Sequence, residues 1–205
     1  SIRRQRQMCI RDSAAGQRIF GESRPQELAA KYEALSKDIE WHMIGDLQTN
    51  KVKLIAPFVA LIHSADSERL IRVINDEAIR NGRVIDILLE IHVADEETKS
   101  GWTYDALLKY VKSGALAAMK GVRVRGVMGI ATYTSNEFRV RLDFELLQQY
   151  KKELEAYFDS SFDTLSMGMS DDYPLALDYG TTMVRIGSLI FGKRDYAAAE
   201  KEATV

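Results

Sequence analysis

The sequence predicts an α/β fold in which parallel strands alternate with helices. From Gln17 onward, seven apolar runs of strand length are separated by segments with helical periodicity, an order typical of βαβ units. Residues 84–93 are apolar except at Asp86, Glu90 and His92, as expected for a parallel strand buried on both faces. The chain has 205 residues and 46% hydrophobic content, so we expect one domain with a packed core.

The strands and helices follow in order along the chain. The predicted strands are residues 17–21, 39–44, 60–63, 84–93, 122–130, 164–167 and 183–186. The longer predicted helices are residues 24–35, 105–116 and 138–158. Ser23, with Gln26 three residues later, predicts a capping box for the first of these helices. Thr49 and Asp66 are the predicted caps of two further helices.

Composition excludes several classes of function. A net charge of −2 gives no support to nucleic-acid binding. Cys9 is the single cysteine, so an internal disulfide and a multi-cysteine metal site are excluded, and the three histidines lack ligand spacing. The sequence has no apolar run of transmembrane length and no signal-peptide pattern, so we expect a cytoplasmic protein without membrane contact.

The last two predicted strands both end in small residues. Residues 164–167 and 183–186 are each followed by Gly and Ser, which leave backbone N–H groups accessible to a phosphate. Asp171 or Asp172 can cap the intervening helix, Pro174 suits its first turn, and Gly180 suits its C-terminal end. Side by side, the two strand ends would form a phosphate cup without a lysine.

Arg185 lies within the last predicted strand, between apolar residues, so we expect its side chain to point inward. A buried guanidinium needs a hydrogen-bond acceptor, and an aromatic ring nitrogen is one candidate. The alternative is a pair of ordinary core strands with a salt-bridged arginine. Periodicity alone does not separate the two interpretations.

Four motifs carry a resemblance to a known family. They read LSMGMSDD at residues 165–172, GTTMVRIGSLIFGKRDY at 180–196, WHMIGDLQTNKVKLI at 41–55 and RGVMGIAT at 125–132. In this order they resemble the pyridoxal phosphate (PLP) homeostasis proteins, the YggS/PROSC family of vitamin B6 metabolism, over roughly residues 14–198. The resemblance implies a (β/α)8 TIM barrel of the alanine racemase N-terminal type, with PLP at the carboxyl ends of the strands.

The resemblance also implies a set of cofactor-binding residues. Arg185 would face the pyridine nitrogen, keeping it unprotonated and weakening the ring as an electron sink. Met128 would pack under the ring, and the two turns above the last strands would hold the phosphate. The implied cofactor-binding residues are Ser166, Gly168, Ser170, Arg185, Gly187, Ser188, Asn50 and Met128. No catalytic and no metal-binding residue is expected.

Residues 1–13 do not fit this pattern. They are rich in Arg and Gln without helical or strand periodicity, and we interpret them as a non-family segment: a basic binding arm or a cloning or adapter-derived sequence. The predicted organisation is therefore residues 1–13, a PLP-binding barrel domain at 14–198, and a tail at 199–205. In the family this region carries a helix and a first strand with the Schiff-base lysine, whereas here no lysine precedes Lys31.

The barrel is accordingly expected to be incomplete, with its first strand missing or replaced. Two free strand edges would leave an open apolar seam, through which a monomeric chain could self-associate. An exposed helix lysine such as Lys51 would meet neither the proximity nor the desolvation that a Schiff base needs.

Three functional hypotheses remain. The first is a carrier-like PLP-binding protein of intracellular PLP homeostasis, without catalytic turnover, whose partners would be PLP and apo forms of PLP-dependent enzymes. The second is an amino-acid racemase-like enzyme, which would need a further catalytic domain. The third is an incomplete copy that retains the phosphate cup but cannot form the Schiff base.

Overall fold

The structure, a computed structural model, describes residues 2–192 of the chain, with side chains from residue 7. Seven strands form one parallel sheet in sequence order, and each strand pairs with the next. The strands are β1 (Ile19–Glu22), β2 (Glu40–Met43), β3 (Leu61–Ala65), β4 (Ile85–Glu90), β5 (Val122–Met128), β6 (Thr164–Met169) and β7 (Met183–Arg185). The predicted parallel fold and its seven strands are thus confirmed, with each strand end shifted by a few residues.

One helix precedes the first strand, one follows the last, and the others lie between successive strands. The helices are α1 (Ile2–Ala14), α2 (Pro25–Ala34), α3 (Val52–Ile55), α4 (Glu68–Arg80), α5 (Tyr104–Lys112), α6 (Glu137–Leu154), α7 (Tyr173–Asp178) and α8 (Ser188–Phe191). Two 3₁₀ turns, Thr49–Lys51 and Glu155–Tyr157, precede α3 and follow α6. Within residues 2–192, no helix has the length and apolar character needed to cross a membrane.

The buried apolar residues fall into two groups, as expected for a barrel wrapped by helices. The larger group fills the layer between sheet and helices and includes Trp41, Ile87 and Phe144. The smaller group, Leu61, Leu88 and Met128, packs separately, with the half-buried Ile130 and Met183 against it. These five residues come from β3, β4, β5 and β7 or directly follow them, so the second group fills the inside of the curved sheet.

The sheet is a nearly closed barrel. Among the described residues no ladder joins β7 to β1, and Val184 and Ile19 on these two strands are exposed. Each free edge presents unpaired backbone groups. Self-association through this seam stays a prediction.

Four local predictions are wrong. Thr49 is not a helix cap, since Gln48 is the N-cap of the first 3₁₀ turn and Lys51 is the N-cap of α3. Residues 1–13 do not lack helical structure, because α1 spans Ile2–Ala14 and buries Cys9. Arg24, not Ser23, is the N-cap of α2, and no side chain caps that helix. Ser67, not Asp66, caps α4, since its hydroxyl accepts a hydrogen bond from the Leu70 N–H. The predicted tail at 199–205 and the predicted domain end at 198 lie outside the described residues, and the boundary at residue 13 stays a prediction.

Gly126 allows β5 and β6 to approach closely. Its φ is +153°, and a Cβ atom there would lie 1.8 Å from the Thr164 carbonyl oxygen. We therefore expect Gly126→Ala to lower the free energy of unfolding by more than about 3 kcal/mol, because backbone must move to admit the methyl group. Chemical denaturation followed by circular dichroism measures this change.

Gly114→Ala is the matched control. Gly114 also has a positive φ, +76°, but a Cβ atom there would meet nothing within 4 Å. The control therefore carries only the backbone strain, about 1–2 kcal/mol. Equal losses for the two variants would contradict the close contact between β5 and β6.

Candidate functional site

A pocket of about 180 Å³ lies at the carboxyl ends of β2, β4 and β5. One wall is the end of β4 with residues 91–94, and another is the loop of Thr98, Lys99 and Ser100. Lys99 is held in place, because its Nζ donates to the Ala131 carbonyl at 2.8 Å and pairs with Glu96 at 3.0 Å. The pocket therefore lies at the barrel mouth, where ligands of parallel α/β barrels bind.

Arg185 ends β7 and points inward, as predicted. Its Nη1 donates to the carbonyl oxygen of Ser166 at 3.0 Å and to the Ser166 Oγ at 2.7 Å, and its Nη2 donates to the Gly129 carbonyl at 3.0 Å. Burial lowers the pKa of Arg185 to about 10, and the charges of Glu90 and Asp172 oppose this shift. Within the described part of the chain, no ion pair of Arg185 is found, so hydroxyl and carbonyl groups hold the guanidinium in place of a salt bridge.

Two buried histidines extend these contacts. The Nδ1 of His63 lies 3.1 Å from the Ser166 Oγ, and its Nε2 lies 3.1 Å from the Nδ1 of His42. The Nε2 of His42 lies 3.2 Å from a carboxylate oxygen of Glu40. Burial lowers the pKa of His63 well below its usual value, with His42 and Arg185 adding to the effect. Burial also lowers the pKa of His42, against the charge of Glu40, so both rings are neutral at physiological pH.

The predicted phosphate cup lies at the ends of β6 and β7. The Ser170 Oγ accepts hydrogen bonds from the backbone N–H groups of Gly187, at 3.2 Å, and Leu189, at 3.4 Å. Two N–H groups therefore converge on one point. A Cβ atom at Gly187 would meet nothing within 4 Å, whereas one at Gly168 would lie 2.7 Å from the Ala176 Cβ. Gly187 thus leaves the cup open, and Gly168 lets β6 pack against α7.

The remaining predicted residues are placed differently. Ser188 is the first residue of α8 and is exposed. Asn50 is exposed on the 3₁₀ turn and does not line the pocket. Met128 is buried inside the barrel with Leu61 and Leu88. Ser166 is fully buried and contacts Arg185 and His63. The structure thus brings Ser166 together with Arg185 and Ser170 with Gly187, and none of the eight predicted cofactor-binding residues is among those that line the pocket.

Sequence reasoning did not identify Glu90 as a residue of the site. Its side chain lines the pocket and is 4% exposed, and its Oε2 has no hydrogen-bond partner among the described residues. Burial raises the pKa of Glu90 to about 8, with further contributions from Asp46 and Asp66, while Arg185 opposes the shift. Glu90 is therefore largely protonated at neutral pH. The sequence carries a signal for this placement, because Glu90 is an acidic residue within a mostly apolar parallel strand.

These features define a class: a parallel α/β barrel with a polar, partly buried ligand site at its strand ends. The sequence model for the N-terminal domain of alanine racemases matches residues 7–195. The match begins inside the segment predicted to lie outside the family.

Two curated relatives narrow the class. The pyridoxal phosphate homeostasis protein of Aquifex aeolicus is 42% identical over 182 residues, which cover 88% of this chain and 79% of that protein. The protein of the same name from Haemophilus influenzae is 36% identical over 195 residues, covering 92% and 80%. The chain belongs to the family of pyridoxal phosphate homeostasis proteins, within the alanine racemase N-terminal domain family.

Solved structures agree with this assignment. PipY of Synechococcus elongatus, with PLP bound, is 33% identical with a TM-score of 0.81, and the match covers 90% of this chain and 86% of PipY. Alanine racemase of Streptomyces coelicolor is 13% identical with a TM-score of 0.65, covering 87% of this chain and 47% of the racemase. The second match supports the barrel fold alone. The predicted family and TIM-barrel type are therefore confirmed.

The protonation of Glu90 predicts a pH dependence of stability. The folded protein retains a proton up to about pH 8, whereas the unfolded chain releases it near pH 4.5. The stabilising effect of this proton is full below pH 4.5 and is lost as the pH rises towards 8. We expect Glu90→Gln to remove this loss and to raise the free energy of unfolding at pH 8, relative to pH 5, by on the order of 2–4 kcal/mol.

Urea denaturation at pH 5 and pH 8 measures the effect. Glu145→Gln is the control, because Glu145 is exposed on α6. An equal change at both pH values for Glu90→Gln would show that Glu90 is ionised in the folded protein.

Proposed function

We propose that this chain binds PLP at the barrel mouth and serves PLP homeostasis as a carrier-like protein without catalytic turnover. The observation that carries this proposal is the match to PipY with PLP bound, at 33% identity over 90% of the chain. The names of the curated relatives support the homeostasis role. The same names describe no catalysis, and this favours a carrier over a racemase-like enzyme.

The strand-end residues fit the phosphate of PLP. The N–H groups of Gly187 and Leu189 already converge on the Ser170 hydroxyl, and the space beside Gly187 is open. A phosphate oxygen near Ser170 would accept from these groups, and Ser188 would add a hydroxyl. No lysine is needed for this contact.

The contacts of Arg185 fit the ring of PLP. The Nη1 of Arg185 donates both of its N–H groups to Ser166, and the Nη2 donates one of its N–H groups to the Gly129 carbonyl. An arginine has five N–H donors, so donors remain for an acceptor in the mouth. When bound, PLP supplies a pyridine nitrogen of this kind, together with an electrophilic aldehyde. A guanidinium donor keeps that nitrogen unprotonated, which suits retention of the cofactor better than carbanion chemistry.

The mode of attachment is a separate part of the proposal. Lys31 is buried in an ion pair with Glu22. The pocket-lining Lys99 is held by Ala131 and Glu96. We infer that this chain binds PLP reversibly. A cytoplasmic location, and transfer of PLP to apo forms of PLP-dependent enzymes, stay predictions.

Incubation with PLP, borohydride reduction and peptide mapping by mass spectrometry test the attachment. We expect reversible binding in spectroscopic titration and no stoichiometric adduct after reduction, because Lys31 is paired with Glu22 and the pocket-lining Lys99 is held by Glu96 and the Ala131 carbonyl. A single adduct at one lysine, such as Lys51 or Lys99, would replace reversible attachment with a relocated covalent anchor.

Arg185→Gln tests the placement of the ring. We expect it to weaken PLP affinity about 10–100-fold, because a charged donor to the ring nitrogen is lost. Isothermal titration calorimetry measures the change. Arg72→Gln is the control, since Arg72 pairs with Glu68 on the exposed face of α4. Unchanged affinity in Arg185→Gln would refute the assigned place of Arg185.

A further inference from the structure

The proposed binding site does not use three polar residues inside the barrel. Glu40, His42 and His63 continue the contacts of Arg185 and Ser166 across the interior. We propose that His63 positions Arg185 by fixing the orientation of the Ser166 hydroxyl, and that His42 and Glu40 fix the tautomer of His63. The inference deepens the proposed function and rests on it, since Arg185 is the residue proposed to contact the PLP ring.

The chain of contacts runs from one end of the barrel to the other. Glu40 begins β2 at the amino end and is partly open to solvent, whereas Arg185 ends β7 at the mouth. The three residues between them are almost fully enclosed: His42 is 3% exposed, His63 is 1% exposed and Ser166 is 0% exposed. Water therefore has little access to these three residues. Their polar groups must be satisfied by the hydrogen bonds that join them to one another, to Glu40 and to Arg185.

The chemistry of the two ends sets the direction of the hydrogen bonds. A guanidinium can only donate, so Arg185 donates to the Ser166 Oγ, and an ionised Glu40 can only accept. With both rings neutral, one arrangement satisfies every contact. Ser166 donates its proton to the His63 Nδ1, the His63 Nε2–H donates to the His42 Nδ1, and the His42 Nε2–H donates to Glu40.

The opposite direction leaves two groups unsatisfied. If the His63 Nδ1 donated to Ser166, the His63 Nε2 would accept from the His42 Nδ1. The His42 Nε2 would then present a lone pair to the Glu40 carboxylate at 3.2 Å. The hydroxyl proton of Ser166 would also lose its acceptor in the interior. Buried polar groups without a hydrogen-bond partner are rare in folded proteins because they are costly, which favours the first direction.

The favoured direction of the hydrogen bonds leaves the Ser166 Oγ free to accept from Arg185. Because the Ser166 proton is directed at His63, the lone pairs of the Oγ remain for the guanidinium. The Ser166 and Gly129 carbonyls accept two further N–H groups, so three hydrogen bonds fix the guanidinium and two N–H groups remain for an acceptor in the mouth. His63 acts through Ser166 and is a positioning residue.

The first test measures the tautomers in the ligand-free protein. Long-range ¹H–¹⁵N NMR of the histidine rings at pH 7 is expected to show His42 and His63 as neutral Nε2–H tautomers. A neutral Nδ1–H tautomer, or an imidazolium, at either residue would overturn the proposed direction.

The second test compares two substitutions of His63. The amide oxygen of Asn lies near the position of Nδ1, so His63→Asn keeps an acceptor for Ser166. The amide nitrogen of Gln lies near Nε2, so His63→Gln keeps only the contact to His42. We expect His63→Gln to weaken PLP affinity about tenfold, and His63→Asn to stay within about threefold of the unaltered protein.

A readout without PLP accompanies the titration. Exchange of the Arg185 guanidinium N–H groups with water is expected to be about tenfold faster in His63→Gln than in His63→Asn, because the hydrogen bonds of Arg185 loosen. Ile74→Val is the control, since Ile74 is buried on α4 in the layer between sheet and helices and is not part of the chain of contacts. An equal loss of affinity in this control would assign the effect to general destabilisation and overturn the inference.

The two proposals fail in different ways. If the unaltered protein does not bind PLP, the proposed function fails, and the tautomers and exchange rates of the ligand-free protein still decide the positioning role. If Arg185→Gln weakens binding while both His63 variants match the unaltered protein in affinity and exchange, the positioning role alone is wrong.

Discussion

The structure of the barrel mouth depends on the hydrogen bonds of Arg185, a partly buried cation that has no carboxylate partner among the described residues. Arg185 donates to the Ser166 hydroxyl and to two carbonyl groups at the ends of β5 and β6. Removing a guanidinium from water is costly, so each of these acceptors must stay in place. Because the acceptors belong to neighbouring strands, Arg185 links the ends of three strands into one rigid surface. The position of a ligand there would follow from strand register more than from loop conformation.

The interior around Arg185 is polar but almost uncharged. Burial lowers the pKa of His42 and His63 and raises that of Glu90, so each of the three is neutral at physiological pH. Leu61 and Met128 lie beside these groups, since Leu61 pairs with His42, and Met128 pairs with Glu90, in the sheet ladders. Arg185 therefore places a positive field among these neutral groups and hydrocarbon side chains. Such a field favours an acceptor or an anion over an amine.

The sequence predicts well the features of this site that depend on neighbouring residues. It predicts poorly the contacts between residues that are far apart in the chain. The apolar neighbours of Arg185 correctly predict an inward side chain, and the strand-and-helix order correctly predicts seven parallel strands. The helix over residues 2–14 was missed because its pattern is not amphipathic enough to separate it from coil. His42 and His63 are 21 positions apart, and His63 and Ser166 are 103 apart. Their contacts depend on how the sheet curves, which periodicity does not encode.

The site therefore divides into two parts with different origins. The cup of Ser170 and Gly187 is built from backbone N–H groups at strand ends, and short local sequence determines it. The proposed ring contact at Arg185 would depend on a chain of buried residues from β2, β3 and β6. A phosphate cup alone would bind many phosphorylated ligands, since it recognises only the phosphate group. Arg185 adds a directed donor at a fixed distance from the cup, and this pairing is what would distinguish PLP from a simpler phosphate.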